Sequence, residues 1–347
     1  MGKNMSSLGS HINSFFGNLL KLFGSSQPPV PSPDTHPISP PDNNTEPARI
    51  LTSRILLVIY DPVMDPVTGE KLSSKMNWHR VDDLVTGFIA DIATTSSGLA
   101  RYQLVDRIEL NEFPAKTDGY RYTPETFMAV LQGATPHTPS MADYNHILTQ
   151  LNILQRVQNQ EIDEVWLFAF PHAGLYESRM AGKGAFWCNS PALENTESCS
   201  RKFIIMGFSY ERQVGEMLES FGHRCESILI KIFEKTLPGK NLYERFSRFD
   251  KQNPGLAEVG NIHFAPNSES DYDWNNPRLV PSHCDDWLHF PGFSGAARQV
   301  NADEWGNGDI RLHHKWWLRH MPKVAGRTAS VVNNWWQYII DPNFIGL

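Results

Sequence analysis

The strongest constraint on how this chain can fold is a set of short apolar runs separated by longer stretches with helical spacing. Residues 54–60 (RILLVIY) are apolar throughout after the first position and stop at Asp61-Pro62. A strand without polar alternation has to be buried on both faces. Residues 81–92 (VDDLVTGFIADI) then place Val81, Leu84, Val85, Phe88, Ile89 and Ile92 at helical intervals, ended by Ser96-Ser97-Gly98, which predicts a helix. Residues 102–110 read as a second strand. Thr123-Pro124-Glu125 opens a helix with proline at its first turn, and residues 141–157 continue the pattern with Tyr144, Ile147, Leu148, Leu151 and Leu154. Two more buried runs follow, residues 164–170 (EVWLFAF) and 202–208 (KFIIMGF), and a long helix over 213–235.

Buried strands alternating with amphipathic helices predict an α/β fold with a largely parallel sheet flanked by helices. The pattern does not choose between an open sheet and a barrel. Beyond residue 250 the periodicity dissolves into Gly, Pro, Asn and Trp, apart from short helices expected at 311–320 and 333–340. This irregular C-terminal half is expected to pack around the sheet and build a site.

Ahead of the folded part, residues 1–26 hold a short amphipathic piece (INSFFGNLLKLF), and residues 27–48 are rich in proline and serine. Such a stretch buries too little apolar surface to fold and reads as an extended tether. The expected organisation is therefore an N-terminal segment, a linker, and one α/β domain over 49–347. A tether of this kind favours an extracellular or cell-surface location over the cytoplasm. With 31 basic and 38 acidic residues the net charge is −7, so no basic field exists to hold nucleic acid. No apolar run is long enough for a transmembrane span.

Four cysteines, Cys188, Cys199, Cys225 and Cys284, show no CxxC spacing, and structural zinc held by thiolates is not expected. Cys188 and Cys199 flank a polar loop and fit either a bridge or two free thiols. No GxGxxG, P-loop or GxSxG sequence occurs.

The sharpest chemical feature is the helix predicted over 213–235. Advancing roughly 100° per residue, Val214, Leu218, Phe221, Cys225, Ile228, Leu229 and Ile232 fall on one face. Glu216, Glu219, His223 and Glu226 fall on the opposite one. Spacings of three and four residues put these side chains within mutual reach. Carboxylates and imidazole are suitable ligands for zinc, manganese or iron. Ile230 lies on the same face, which argues that something covers it, and covered acids need a compensating cation. His263, in GNIHFAPN, is the best third ligand, and Asn261, two residues before it and on the same side of a short strand, is expected to bind substrate. The run 271–276 (DYDWNN) is dense in oxygen ligands but lacks EF-hand spacing and reads as an Asx-rich turn. His283-Cys284-Asp285 and His313-His314 with His320 are further nitrogen-rich points, ranked below His263.

These residues predict a metal-dependent hydrolase in which Glu219, His223 and His263 hold a divalent metal such as zinc. Glu216 or Glu226 is then the general base, and the expected substrate is a polymer, a peptide or an amide-containing glycan. A competing reading places ligands at strand ends. Glu177 and Glu211 there become the carboxylate pair of a glycoside hydrolase, with Tyr210, Trp274 and Trp287 as sugar-stacking surfaces. The same aromatic residues also fit a non-catalytic carbohydrate-binding protein.

Overall fold

The computed structural model describes residues 47–237 and 239–346, so the amphipathic segment and all but the end of the linker lie outside the described residues. Five strands, β1 (Leu51–Tyr60), β2 (Ala100–Leu110), β3 (Glu164–Ala169), β4 (Ser178–Ala181) and β5 (Phe203–Ser209), form one sheet in the order β2-β1-β3-β5-β4. β1 is parallel to both β2 and β3, and β3 is parallel to β5. The order is linear, so the sheet is open. Residues 55–58 and 165–168 are 0% exposed, as unbroken apolar strands in the middle of a parallel sheet must be. β4 is absent from the sequence reading. It is an antiparallel edge strand of four residues, with Ser178 opposite Met206 and Ala181 opposite Phe203, too short and too polar to carry a period.

Helices α1 (Val81–Thr95) and α2 (Val214–Phe233) cover one face of the sheet. Phe88 of α1 makes edge contacts with Trp166 of β3 at 5.3 Å and with Phe221 of α2 at 5.9 Å. The single helix expected over 141–157 is two, Tyr144–Gln150 and Ile153–Gln158, separated where Asn152 takes φ 50°. Asparagine tolerates this left-handed conformation, and one such residue ends a helix. Beneath the sheet, Arg224 of α2 donates to Glu164 at 2.6 Å and to the Ile339 carbonyl at 2.6 Å, and the Trp166 indole donates to the same Glu164 carboxylate. Arg224 is fully buried, so this ion pair fastens α2 to the start of β3 away from water.

Helix α3 (Ile310–His320) packs against α2 near Gly215, where a Cβ atom would lie 2.5 Å from Ile310 Cγ2. Instead of a helix over 333–340, strand Val331–Asn334 pairs antiparallel with Lys323–Thr328 and a shorter helix, Trp336–Ile340, follows. Trp287, Trp305, Trp317, Trp335 and Trp336 are core residues, each at most 2% exposed. All four cysteines are free and buried. Among the described residues no helix is long and apolar enough to cross a membrane.

Candidate metal centre

Helix α2 is amphipathic by sequence, yet its polar face is covered: Glu219, His223 and Glu226 are only 7%, 7% and 8% exposed. Ile230, whose position argues for a cover, is itself 47% exposed, so the covering ends before the last turn. The loop carrying His263 supplies it. At Gly222 a Cβ atom would lie 2.3 Å from Ile262 Cδ1, so the missing side chain is what lets the loop reach the helix. The Ile262 N–H donates to Glu226 Oε1 at 3.1 Å. Asn261 Oδ1 accepts from the backbone N–H groups of His263 and Phe264, both at 3.0 Å, and the Trp274 indole donates to the His263 carbonyl. Asn261 and Trp274, expected to touch substrate, thus fold the loop that aims His263. Trp274 is 5% exposed and stacks on His313 at 4.8 Å.

Donor atoms converge where loop and helix meet. His223 Nε2 and His263 Nε2 face each other at 3.0 Å, and Glu219 Oε1 is 3.3 Å from His263 Nε2. The Tyr272 hydroxyl donates to Glu219 Oε1 at 2.9 Å and stands 3.1 Å from His263 Nε2. Both rings are oriented from behind: His223 Nδ1 meets Glu226 Oε2 at 3.1 Å, and His263 Nδ1 meets Asp271 Oδ1 at 3.0 Å. A carboxylate on Nδ1 fixes the tautomer and leaves Nε2 as the coordinating atom, the usual arrangement behind a metal-bound histidine. Glu219, His223 and His263 form a group able to hold a metal ion.

The electrostatics follow from the same contacts. Burial acts to lower both imidazoles, but the carboxylates outweigh it. Asp271 and Glu219 push His263 up to about 10, and Glu226 with the charge of Glu177 raises His223. Facing Nε2 atoms at 3.0 Å cannot both carry protons, so at most one proton lies between them. Burial works to raise Glu219, yet hydrogen bonding and charge from the two histidines hold it below the ordinary carboxylate range. Burial and the neighbouring Glu219 anion push the Tyr272 phenol well above its ordinary range. The arrangement is a compact set of nitrogen and oxygen donors sharing at most one proton, which suits a divalent cation in that proton's place.

The other predicted residues fall elsewhere. Glu216 accepts from the Gln213 N–H and caps the start of α2. Glu226 is taken up by His223 and Ile262. Glu177 accepts from the Asn189 amide at 2.6 Å and is near enough for its charge to act on His223 and Tyr272. Glu211 follows β5, and among the described residues it shares no hydrogen-bond partner with Glu177. Tyr210 is fully buried with its hydroxyl on the Tyr60 carbonyl, and Trp287 is buried against Phe246 and Trp335 with its indole on Glu258. Neither presents a ring to solvent.

Asp271 and Tyr272 lie in the oxygen-rich run that the sequence reads as an Asx-rich turn, not as part of this centre. Tyr272 has φ 59°, a conformation rare for an aromatic residue, and no local pattern announces it. Asp271 and Tyr272 are 44% and 41% exposed, so the cluster opens to solvent on their side. A cleft of about 540 Å³ lies at the N-terminal ends of α1, α2 and α3, lined by His79, Arg80, Gln213, Gly215 and Arg311 among others, and does not include His223 or His263. Comparisons with protein-family models, with curated proteins and with solved structures gave no match.

Proposed function

We propose that the protein is a metal-dependent hydrolase whose cation is held by Glu219, His223 and His263, with the Tyr272 hydroxyl beside it. The observation that carries this reading is the pair of facing Nε2 atoms, each ring held from behind by its own carboxylate. Two nitrogens and one oxygen, with a position left for water, favour zinc, with manganese or iron as less matched occupants. Such a cation supplies Lewis acidity and a nucleophilic water near neutral pH.

The chain's own residues supply the rest. Glu226 and Asp271 orient the rings and keep their Nε2 atoms available. Glu177 is the general base in this proposal, because it stands beside the cluster and its only described side-chain partner is the neutral Asn189 amide, whereas Glu216 and Glu226 are engaged. The Tyr272 hydroxyl is placed to donate to an oxygen that gains charge in the reaction. The irregular C-terminal half, which contributes His263, Asp271 and Tyr272, is proposed as the wall of the site. A peptide or an amide-containing glycan is the proposed substrate class, and an exported location fits the proline- and serine-rich residues 27–48.

The test is elemental analysis of the purified protein and of His223→Ala and His263→Ala, beside hydrolysis of peptide and amide substrates with and without chelator. Loss of one metal equivalent in both variants, with chelator-sensitive hydrolysis, is expected. A wild type that takes up no metal at this centre after incubation with zinc and manganese overturns the reading. Chelator-resistant hydrolysis abolished by Glu211→Gln would reassign the protein to the glycoside hydrolases.

A further inference from the structure

A second group of donors lies where the short helix Cys284–Leu288 meets the C-terminal end of α3. One atom each from Cys284, Asp285 and His320 lies within 4.8 Å of the others. None of the three takes part in the centre described above. Cys284 is 0% and His320 2% exposed, so two of the donors are removed from water.

The decisive atom is His320 Nε2. The ring's Nδ1 is 2.7 Å from the Trp316 carbonyl, which only accepts, so Nδ1 carries the proton and Nε2 carries the lone pair. That Nε2 is buried and has no hydrogen-bond partner among the described residues. A buried acceptor left unpaired costs about 1–3 kcal/mol, and a helix end offers ready alternatives such as exposure. A backbone carbonyl on Nδ1 with a free Nε2 is also the way a metal-bound histidine is held.

The other two donors are prepared in a similar manner. Asp285 is gripped by Arg298 through both oxygens, at 2.7 and 3.1 Å, and Arg298 is braced in turn by Glu304. This fixes the carboxylate while leaving it lone pairs to share. Cys284 Sγ is 3.7 Å from Asp285 Oδ1, a weak S–H contact, and burial holds the thiol protonated, up at about 11. A thiol becomes a thiolate on binding zinc, releasing its proton to solvent.

We propose that Cys284, Asp285 and His320 form a second metal site, a zinc clip that ties the residue 284–288 helix to the end of α3. One thiolate, one imidazole and one carboxylate match zinc in softness and number, with water in the fourth position. Asp285, 45% exposed at its side chain, gives the cation a route in. The cation would join these two segments and complete the coordination of an imidazole nitrogen that has no hydrogen-bond partner among the described residues.

Sulfur makes the test independent of the first centre, whose donors are nitrogen and oxygen only. Cobalt(II) titrated into the full chain should produce a near-ultraviolet thiolate-to-cobalt charge-transfer band, which saturates at one equivalent in His263→Ala. The band should vanish in Cys284→Ser and His320→Ala and persist in His263→Ala, which empties the first centre. Zinc X-ray absorption on the wild type, which needs no variant to fold, should show a sulfur neighbour. A wild type without the band and with only nitrogen and oxygen around zinc overturns the proposal, as does a band that survives Cys284→Ser. Failure of the first centre leaves this result untouched.

Discussion

His223 and His263 turn their Nε2 atoms toward one another at 3.0 Å, and each ring turns its Nδ1 toward a different carboxylate, Glu226 and Asp271. One histidine comes from a helix and the other from a loop forty residues later, so their meeting is a product of the tertiary fold. The carboxylates do for both rings what a single fixed proton does for one: they settle which nitrogen is free. Replacing these acids therefore separates orientation from ligation. Glu226→Gln and Asp271→Asn keep the shape and lose the charge, and should weaken metal binding about 10- to 100-fold without abolishing it. Competition with a chelator of known affinity measures this; an unchanged affinity in both variants would mean the rings are held by packing alone.

Tyr272 offers a separate test because its ring is 41% exposed while its hydroxyl reaches Glu219. Tyr272→Phe removes one oxygen and leaves the left-handed backbone and the ring in place. Metal stoichiometry and unfolding midpoint should be unchanged, and turnover should fall on the order of 100-fold if the hydroxyl stabilises developing charge. A parallel loss of metal would instead make the phenol oxygen an obligatory ligand.

The pH response of stability is set beside the centre, in the buried pair His313 and His314. Burial, reinforced by the charge of His263, lowers His313 from 6.5 to about 3, and burial with its charged neighbours pushes His314 well below its ordinary value. The unfolded chain binds these protons near pH 6.5 and the folded one does not. Their contribution to stability is therefore present above pH 6.5 and lost as pH falls toward 3. Urea unfolding at stepped pH should show a decline across that window, shallower in His313→Phe, which retains a ring to stack on Trp274. An acid limb of equal slope in the variant would count against the assignment.

Arg224 and Glu164 make a prediction about stability alone. Both charges are out of water, and each is the other's charge partner at 2.6 Å. Arg224→Ala leaves Glu164 buried and uncompensated, which costs about 3–5 kcal/mol. The double change Glu164→Gln with Arg224→Met should cost less than the single one. Urea denaturation of the three proteins decides it, and additive losses would show that the two residues do not act as a pair.

The parts of this molecule legible in the sequence are those with a period. β1, β3 and β5 announce themselves as unbroken apolar runs because both sheet faces are covered, and α2 shows its Glu219, His223 and Glu226 face at helical spacing. β4 is hidden because four residues cannot display alternation, and its hydrogen bonds depend on β5 being there already. Asp271 and Tyr272 are hidden for a different reason: their loop is shaped by Asn261, Trp274 and a left-handed tyrosine, none of which leaves a local signature. The aromatic residues mislead in the other direction. Trp287 and Tyr210 carry polar atoms that suggest a binding surface, but the chain satisfies those atoms internally, on Glu258 and the Tyr60 carbonyl.

Gly222 joins the fold to the centre and can be tested directly. A glycine inside a helix costs about 1 kcal/mol relative to alanine, so on helix propensity alone Gly222→Ala should stabilise α2. The Cβ atom, however, would sit 2.3 and 2.5 Å from Ile262 Cδ1 and Cγ1, and relieving that overlap pushes away the loop whose next residue is His263. The overlap should cost about 1–3 kcal/mol, enough to outweigh the propensity gain, and the displaced imidazole should weaken metal binding in the same variant. Adding Ile262→Ala removes the obstructing atoms, so the double variant should recover metal affinity even where it does not recover full stability. Chelator competition and urea unfolding on the single and double variants read the two effects apart. Should Gly222→Ala bind metal as tightly as the wild type, the loop would be positioned by Asn261 and Trp274 alone, and the close approach at Gly222 would be incidental to the centre.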